Sequence, residues 1–358
     1  MMYRHFVYPV LCGGVFLMKG AFKMKKKLAL IMAFGLVTGL ALTSCGGTTA
    51  GSNEQSEEAV ETADTEEPDA ETEPDTGDAS LDDPRNQDDI GTDEILVVSF
   101  GTSYNDSRRE TIGAIEQAIE TAAAEIPSPD GNPWSVRRAF TSQIIIDHVN
   151  ERDGEKIDNV TEALDRAADN GVQNLVIVPT HLMNGHEFND LQDELGTYAD
   201  AFGSIVISKP LLSDDADFTA VAEAVTSELS DYNDGETAIV LMGHGTDADS
   251  NGVYEKMQGV LSDMGEKNFF IGTVESTPSL DDVVEMVNGG DYKRVVLKPL
   301  MVVAGDHANN DMAGEDDDSW RSVFINEGYD VECVLKGLGQ SEAVQQLYVQ
   351  HMRDALGQ

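Results

Sequence analysis

Two histidines and a glutamate stand out in the sequence, each just after an apolar run. His244 lies in Gly243-His244-Gly245-Thr246, Glu275 follows Thr273-Val274, and His307 closes Gly305-Asp306-His307. Imidazole and carboxylate suit a first-row divalent metal, and these types do not by themselves separate cobalt, iron, nickel and zinc. Three protein ligands leave coordination positions open, so such a site can hold an ion and also release it. A neutral imidazole can in addition accept a proton near neutral pH. The chemistry within reach is therefore metal handling coupled to proton removal. A single histidine beside glycine is ordinarily a loop residue; convergence of three ligands from three strand ends favours the metal reading.

Those positions need a scaffold that brings them together. From Ile95 onwards, short apolar runs alternate with longer helical stretches: Ile95–Phe100, Asn174–Pro179, Ala238–Met242, Phe269–Val274 and Arg294–Pro299. Apolar runs of this length between helices predict buried parallel strands in an α/β fold. The pattern also repeats. Val98-Ser-Phe-Gly-Thr102 matches Met242-Gly-His-Gly-Thr246, and Arg138-Ala-Phe-Thr-Ser142 matches Gly272-Thr-Val-Glu-Ser276. Pro179 with Gly185-His-Glu187 matches Pro299 with Gly305-Asp-His307, and Lys209-Pro-Leu211 matches Lys336-Gly-Leu338. Four matches in the same order predict two similar doubly wound parallel-sheet lobes, residues 95–225 and 226–358, facing a shared cleft. Ligands of such sheets bind beyond the carboxyl ends of the strands, where His244, Glu275 and His307 fall. Their counterparts in the first lobe read as Phe100, Thr141 and Glu187. A structural requirement would affect both copies alike, so this asymmetry points to function.

Charge and the N-terminus bound the remaining possibilities. Sixty-six Asp and Glu against twenty-three Lys and Arg give a net charge of −43, which excludes nucleic-acid binding through the bulk field. Residues 1–45 read as a signal segment: Lys23-Met-Lys-Lys-Lys27, an apolar run from Leu28, then Leu42-Thr-Ser-Cys45. Translation from Met1 or from Met24 is compatible with this. The last four residues resemble a bacterial lipobox, which implies lipidation of Cys45, an extracytoplasmic location and contact with a membrane through the lipid alone. Residues 46–94 are predicted to be a disordered acidic stalk, with eighteen acidic residues and only Arg85 basic between Gly51 and Glu94. Cys12, Cys45 and Cys333 are too few and scattered for a disulfide framework, and Cys333 reads as a small buried hydrophobe.

Three segments carry a family resemblance: Ser99-Phe-Gly-Thr-Ser-Tyr-Asn-Asp-Ser-Arg108, Met242-Gly-His-Gly-Thr246, and the long Lys298-Pro-Leu-Met-Val-Val-Ala-Gly-Asp-His-Ala-Asn-Asn-Asp-Met-Ala-Gly314. They resemble the anaerobic sirohydrochlorin cobaltochelatases, class II chelatases with some exported members. The resemblance implies insertion of Co²⁺, with Fe²⁺ or Ni²⁺ as alternatives, into a sirohydrochlorin-type tetrapyrrole, without ATP or an organic cofactor. It implies that His244, Glu275 and His307 bind the metal and that both histidines accept protons. Glu187 matches a family carboxylate and is expected to assist proton transfer, with His181 and His186 beside it. Gly101, Thr102, Ser103 and Arg108 are expected to meet a substrate carboxylate, with Arg109, Lys209 and Lys298 as further counter-charges. Homo-oligomerisation is left open. The competing class is an extracytoplasmic carrier of metal, haem or another tetrapyrrole without turnover. A haem carrier needs only one axial ligand, so the presence of three favours an enzyme.

Overall fold

The computed structural model describes residues 76–358, and each apolar run named above forms a strand, with Phe100 and Val274 falling just beyond theirs. The signal segment with Cys45 and the acidic residues 46–75 lie outside the described residues. The first lobe contains β1 (Asp93–Ser99), α1 (Asn105–Arg108), α2 (Ala114–Ala123), β2 (Ser135–Phe140), α3 (Gln143–Asp153), α4 (Val160–Asp169), β3 (Asn174–Pro179), α5 (His186–Thr197), β4 (Ser204–Ile207) and α6 (Asp215–Glu228). The second contains β5 (Thr237–Gly243), α7 (Gly252–Asp263), β6 (Phe269–Thr273), α8 (Leu280–Asn288), β7 (Arg294–Pro299), α9 (Trp320–Asn326) and β8 (Asp330–Cys333), and α10 (Glu342–Ala355) ends the chain. Both sheets are four-stranded and wholly parallel, in the orders β2-β1-β3-β4 and β6-β5-β7-β8. The duplication read from sequence is thus a duplication of topology.

Alternation along the strands explains why helices must cover both faces. In β1, Ile95 and Val97 point into one core while Leu96 and Val98 point into another. In β5, Ile239 and Leu241 join that same first core, whereas Val240 and Met242 face a third. The first core also takes in Ile115 and Ile119 of α2, Phe218 and Val221 of α6, Met257 of α7 and Tyr348 and Met352 of α10. A layer of helices is therefore shared between the two sheets, and the lobes meet through one continuous apolar interior. The expected division at 225/226 does not separate independent cores.

The C-terminal helix crosses between lobes. α10 belongs to the second half of the sequence but packs on α2, α6 and β3 of the first. Tyr348 donates from its hydroxyl to the Thr180 carbonyl at 2.7 Å, and buried His351 bonds through Nε2 to Asp217 Oδ1 at 3.0 Å.

The stalk expectation fails at its C-terminal end. Residues 76–92 run along the first lobe, and β1 begins at Asp93 with Asp93 and Glu94 both buried. Asp82 sits between two buried guanidiniums, accepting from Arg108 Nε and Arg138 Nη1, each at 2.6 Å. Arg85 pairs with Glu116 at 3.2 Å and Glu120 at 3.1 Å. Composition counts these acids as solvated like charges. Buried cations on α1 and β2 convert them into required partners, because removing one partner of a buried ion pair leaves an uncompensated charge at a cost of about 3–5 kcal/mol. Cys333 is only partly buried, although burial does push its thiol up.

Candidate active site

His244 lies one residue beyond β5, Glu275 two beyond β6 and His307 in a short helical turn after β7. The turn holding His244 depends on Gly245, at φ +86°, where a Cβ would lie 2.8 Å from the Ser276 nitrogen. Its counterpart Gly101 has φ +106°, and a Cβ there would lie 2.6 Å from the Phe140 ring. Both lobes thus use the same left-handed turn, open to glycine at no steric cost, just after the residue presented to the cleft. Ligand atoms of His244, Glu275 and His307 lie within 4.8 Å of one another, a spacing that one cation can bridge. The two imidazoles meet edge to face, with centroids 4.7 Å apart.

Each imidazole is held by a bond to its other nitrogen. His244 Nδ1 is 2.8 Å from the Gly245 carbonyl, and His307 Nδ1 is 2.7 Å from Asp311 Oδ2. Both partners are acceptors, so Nδ1 carries the proton and donates in each case. That leaves the Nε2 lone pair of both rings for a metal or an incoming proton, and the carboxylate behind His307 fixes the tautomer and orientation of that ring. Asp311 lies four residues after His307 in the sequence, and this His/Asp spacing was legible without being assigned a role.

The first lobe supplies a different set. Strand pairing corrects one correspondence: the Ser142 N–H donates to the Phe100 carbonyl as the Glu275 N–H donates to the His244 carbonyl. Ser142, not Thr141, is therefore the counterpart of Glu275. Thr141 instead donates from Oγ1 to Glu187 Oε2 at 3.0 Å. Burial raises the Glu187 carboxyl above its ordinary range, against the opposing effects of the Thr141 bond and nearby His244. Behind it, His181 lies 3.9 Å from Glu187, too far for a hydrogen bond, and burial pushes its imidazole down to about 4. His186 reaches across to the second lobe, where its Nε2 is 2.8 Å from Asp247 Oδ1.

His244, Glu275 and His307 from one lobe and Glu187, His181 and His186 from the other line one cleft of about 1200 Å³. That exceeds the roughly 300–1,000 Å³ of ordinary small-ligand pockets and suits a large ligand. Gly101, Thr102 and Ser103 line it as expected. Arg108 does not: it is fully buried, bound to Asp82 at 2.6 Å and to Glu155 at 2.7 Å, and its Nη1 holds the Thr102 carbonyl from below. It supports the loop and cannot meet a substrate. Arg109 pairs with Asp106 and Glu110, Lys209 with Asp214 and Asp217, and buried Lys298 with Glu228 and the Lys336 carbonyl. None of these three lines the cleft. Their positions in sequence near helix starts and strand ends do not distinguish partnered cations from available ones. Arg152 and His148 on α3 do line it, and neither carries a signal in the sequence that marks it.

Parallel lobes, a shared cleft and three clustered metal-type ligands define a chelatase-like architecture, and comparison with known proteins agrees. Residues 93–357 match the family model described as cobalt chelatase (CbiK). The chain is 35% identical over 264 residues to the sirohydrochlorin cobaltochelatase of Salmonella typhimurium, covering 73% of this chain and 96% of the relative. It is 28% identical over 264 residues to the sirohydrochlorin cobaltochelatase CbiKC of Nitratidesulfovibrio vulgaris, covering 73% of this chain and 90% of that one. Among solved structures, SirB from Bacillus subtilis with Fe³⁺ superimposes with a TM-score of 0.51 at 16% identity, over 74% of this chain and 96% of that one. This chain belongs to the cobalt chelatase (CbiK) family.

Proposed function

We propose that the cleft inserts Co²⁺ into sirohydrochlorin, with His244, Glu275 and His307 presenting the ion from one lobe and Glu187 facing them from the other. The observation that carries this reading is the pair of imidazoles whose Nδ1 atoms are both committed, leaving both Nε2 atoms directed to chemistry. Insertion replaces two pyrrole N–H bonds by metal–nitrogen bonds, so two protons must leave as the ion enters. A ligand set of two imidazoles and one carboxylate holds a divalent cation with positions open for the incoming nitrogens. Once the ion passes to the macrocycle, the vacated Nε2 atoms can accept protons. Glu187, kept basic by burial, is a second acceptor. Gly101, Thr102 and Ser103 form the floor on which the substrate rests. The donor set also admits Fe²⁺ and Ni²⁺.

The sequence supports placing the enzyme outside the cytoplasm, tethered by lipid on Cys45. A Cys45→Ser substitution should release it from the membrane fraction, and an unchanged distribution would refute the tether. For the chemistry, sirohydrochlorin absorbance is followed under anoxic conditions with Co²⁺, Fe²⁺ and Ni²⁺ supplied separately. Conversion above the uncatalysed rate, abolished in His307→Ala and His244→Ala while unfolding curves stay unchanged, supports the reading. Tight tetrapyrrole binding with no conversion would identify a carrier.

A further inference from the structure

Counter-charge in the cleft is scarce. Four carboxylates line it, Glu187, Asp247, Glu275 and Asp306, while Arg152 is the one Lys or Arg among the described lining residues. A tetrapyrrole bearing many carboxylates thus meets no ring of cations, and its orientation must come from something else. Helix α3 provides an asymmetric wall. Ile144, His148 and Arg152 recur every four residues, so they stack along one face of the helix, and all three line the cleft. Ile144 is 82% exposed, and Phe100, 46% exposed, shares the same cavity. Large apolar side chains left open inside a cleft mark a surface made to be covered by a ligand. At the other end of the stripe, Arg152 is ion-paired with Asp153, from Nε at 2.9 Å and from Nη2 at 2.6 Å, and Nη2 also bonds the Ser103 carbonyl at 2.7 Å and Asn105 Oδ1 at 3.0 Å, so its charge is already met. The face therefore grades from apolar at Ile144 to polar at His148 within about one helical turn.

We propose that α3 orients the tetrapyrrole, taking the macrocycle against Ile144 and Phe100 and a carboxylate of one edge at His148. This rests on the chelatase reading above and specifies how its substrate lies. A ring turned to face its carboxylates the other way meets Ile144, or Asp247 and Asp306 on the opposite lobe, and is rejected by desolvation or like charge. Carboxylates on the remaining edges stay in solvent through the open mouth.

The test uses the full chain with substitutions at Ile144 and His148, both exposed, so that the fold is not at stake; thermal unfolding confirms this. Kinetics are measured separately for sirohydrochlorin and Co²⁺, and binding of metal-free sirohydrochlorin is followed by fluorescence quenching. His148→Glu and Ile144→Asp should each raise the KM and Kd for the tetrapyrrole about tenfold or more. kcat and the KM for Co²⁺ should move by less than about twofold, and His148→Arg should retain tetrapyrrole affinity. An unchanged KM in His148→Glu, or a loss confined to kcat or to the KM for Co²⁺, overturns the assignment. Failure of the chelatase reading would look different: the unsubstituted chain would convert no sirohydrochlorin, while the quenching series would still report whether α3 holds it.

Discussion

Replacing Asp82 by alanine removes a carboxylate shared by two buried guanidiniums. Three charge-assisted hydrogen bonds go with it: Arg108 Nε and Arg138 Nη1 at 2.6 Å, and Arg138 Nη2 at 3.1 Å. Neither cation is left wholly bare, since Arg108 retains Glu155 at 2.7 Å and Arg138 retains Glu116 at 2.8 Å. Breaking a buried pair by removing one partner costs about 3–5 kcal/mol, and the retained partners place this case near the lower bound. A loss of about 3 kcal/mol is a large part of the roughly 5–15 kcal/mol that holds a protein folded. At about 2–4 °C per kcal/mol it lowers the Tm by roughly 6–12 °C. Urea and thermal unfolding at neutral pH measure it directly, with Asp82→Asn falling between parent and alanine variant. A chain shortened to begin at residue 91, which also lacks Arg85 and its pairs with Glu116 and Glu120, should lose at least as much, whereas one beginning at residue 71 should not. The acid side offers a further check. Burial alone would raise the Asp82 carboxyl, but the bonds and charges of Arg138 and Arg108 prevail and hold it low. Its stabilisation is therefore complete above the ordinary carboxylate range and disappears as pH falls through the lowered value. The alanine variant should lose that part of the acid transition. A change in stability below about 0.5 kcal/mol, the level of an ordinary surface substitution, would refute the claim that this segment belongs to the fold.

Asp311→Ala removes the acceptor behind His307 and should weaken Co²⁺ binding about 10–100-fold by titration calorimetry, with Asp311→Asn between; unchanged affinity would make that contact incidental. Glu187→Gln should lower kcat by about 10²–10⁴-fold. In the parent, kcat should decline with falling pH from above the ordinary glutamate range, because burial raises this carboxyl and the base must be unprotonated; the same limb persisting in the glutamine variant would assign it elsewhere. His181 should stay neutral down to about pH 4 in the folded state, whereas the unfolded chain takes up its proton near 6.5. Stability should therefore fall as pH drops between these values, by about 3 kcal/mol in all, and His181→Met should flatten that dependence in denaturant titrations.

The architecture was largely legible because parallel strands buried on both faces leave continuous apolar runs, and a duplicated fold leaves two copies to align. The metal-type ligands were legible for the same reason, since His244 and His307 stand where the first lobe carries Phe100 and Glu187. The copy that aligned least well, near β2 and β6, lacks a shared glycine or proline to fix its register. The reading accordingly slipped by one residue, naming Thr141 where pairing gives Ser142. Charged residues were the least legible. Arg108 and Arg109 are adjacent in sequence, yet one is buried under the cleft loop and the other lies on the surface. Asp82 is compositionally indistinguishable from the acids before it, and only the position of Arg108 and Arg138 in space separates them. Whether a charge is solvent-directed or structural depends on partners tens of residues away, and local pattern does not carry that information.

The seating of α10 on the first lobe has a consequence for how the molecule is made. The inner face of the first sheet, with Val176 and Val178, is completed by Tyr348 and its neighbours on α10, a helix synthesised after both sheets. Until that helix arrives, an apolar surface of the first half stays open, and its closure pairs residues more than 150 positions apart, as Thr180 and Tyr348 show. Such distant contacts form slowly and leave an aggregation-prone intermediate in the meantime. Folding is thus committed only when α10 is present: a nascent first lobe cannot finish alone, and a chain truncated before Glu342 would expose the core of the half that it leaves intact.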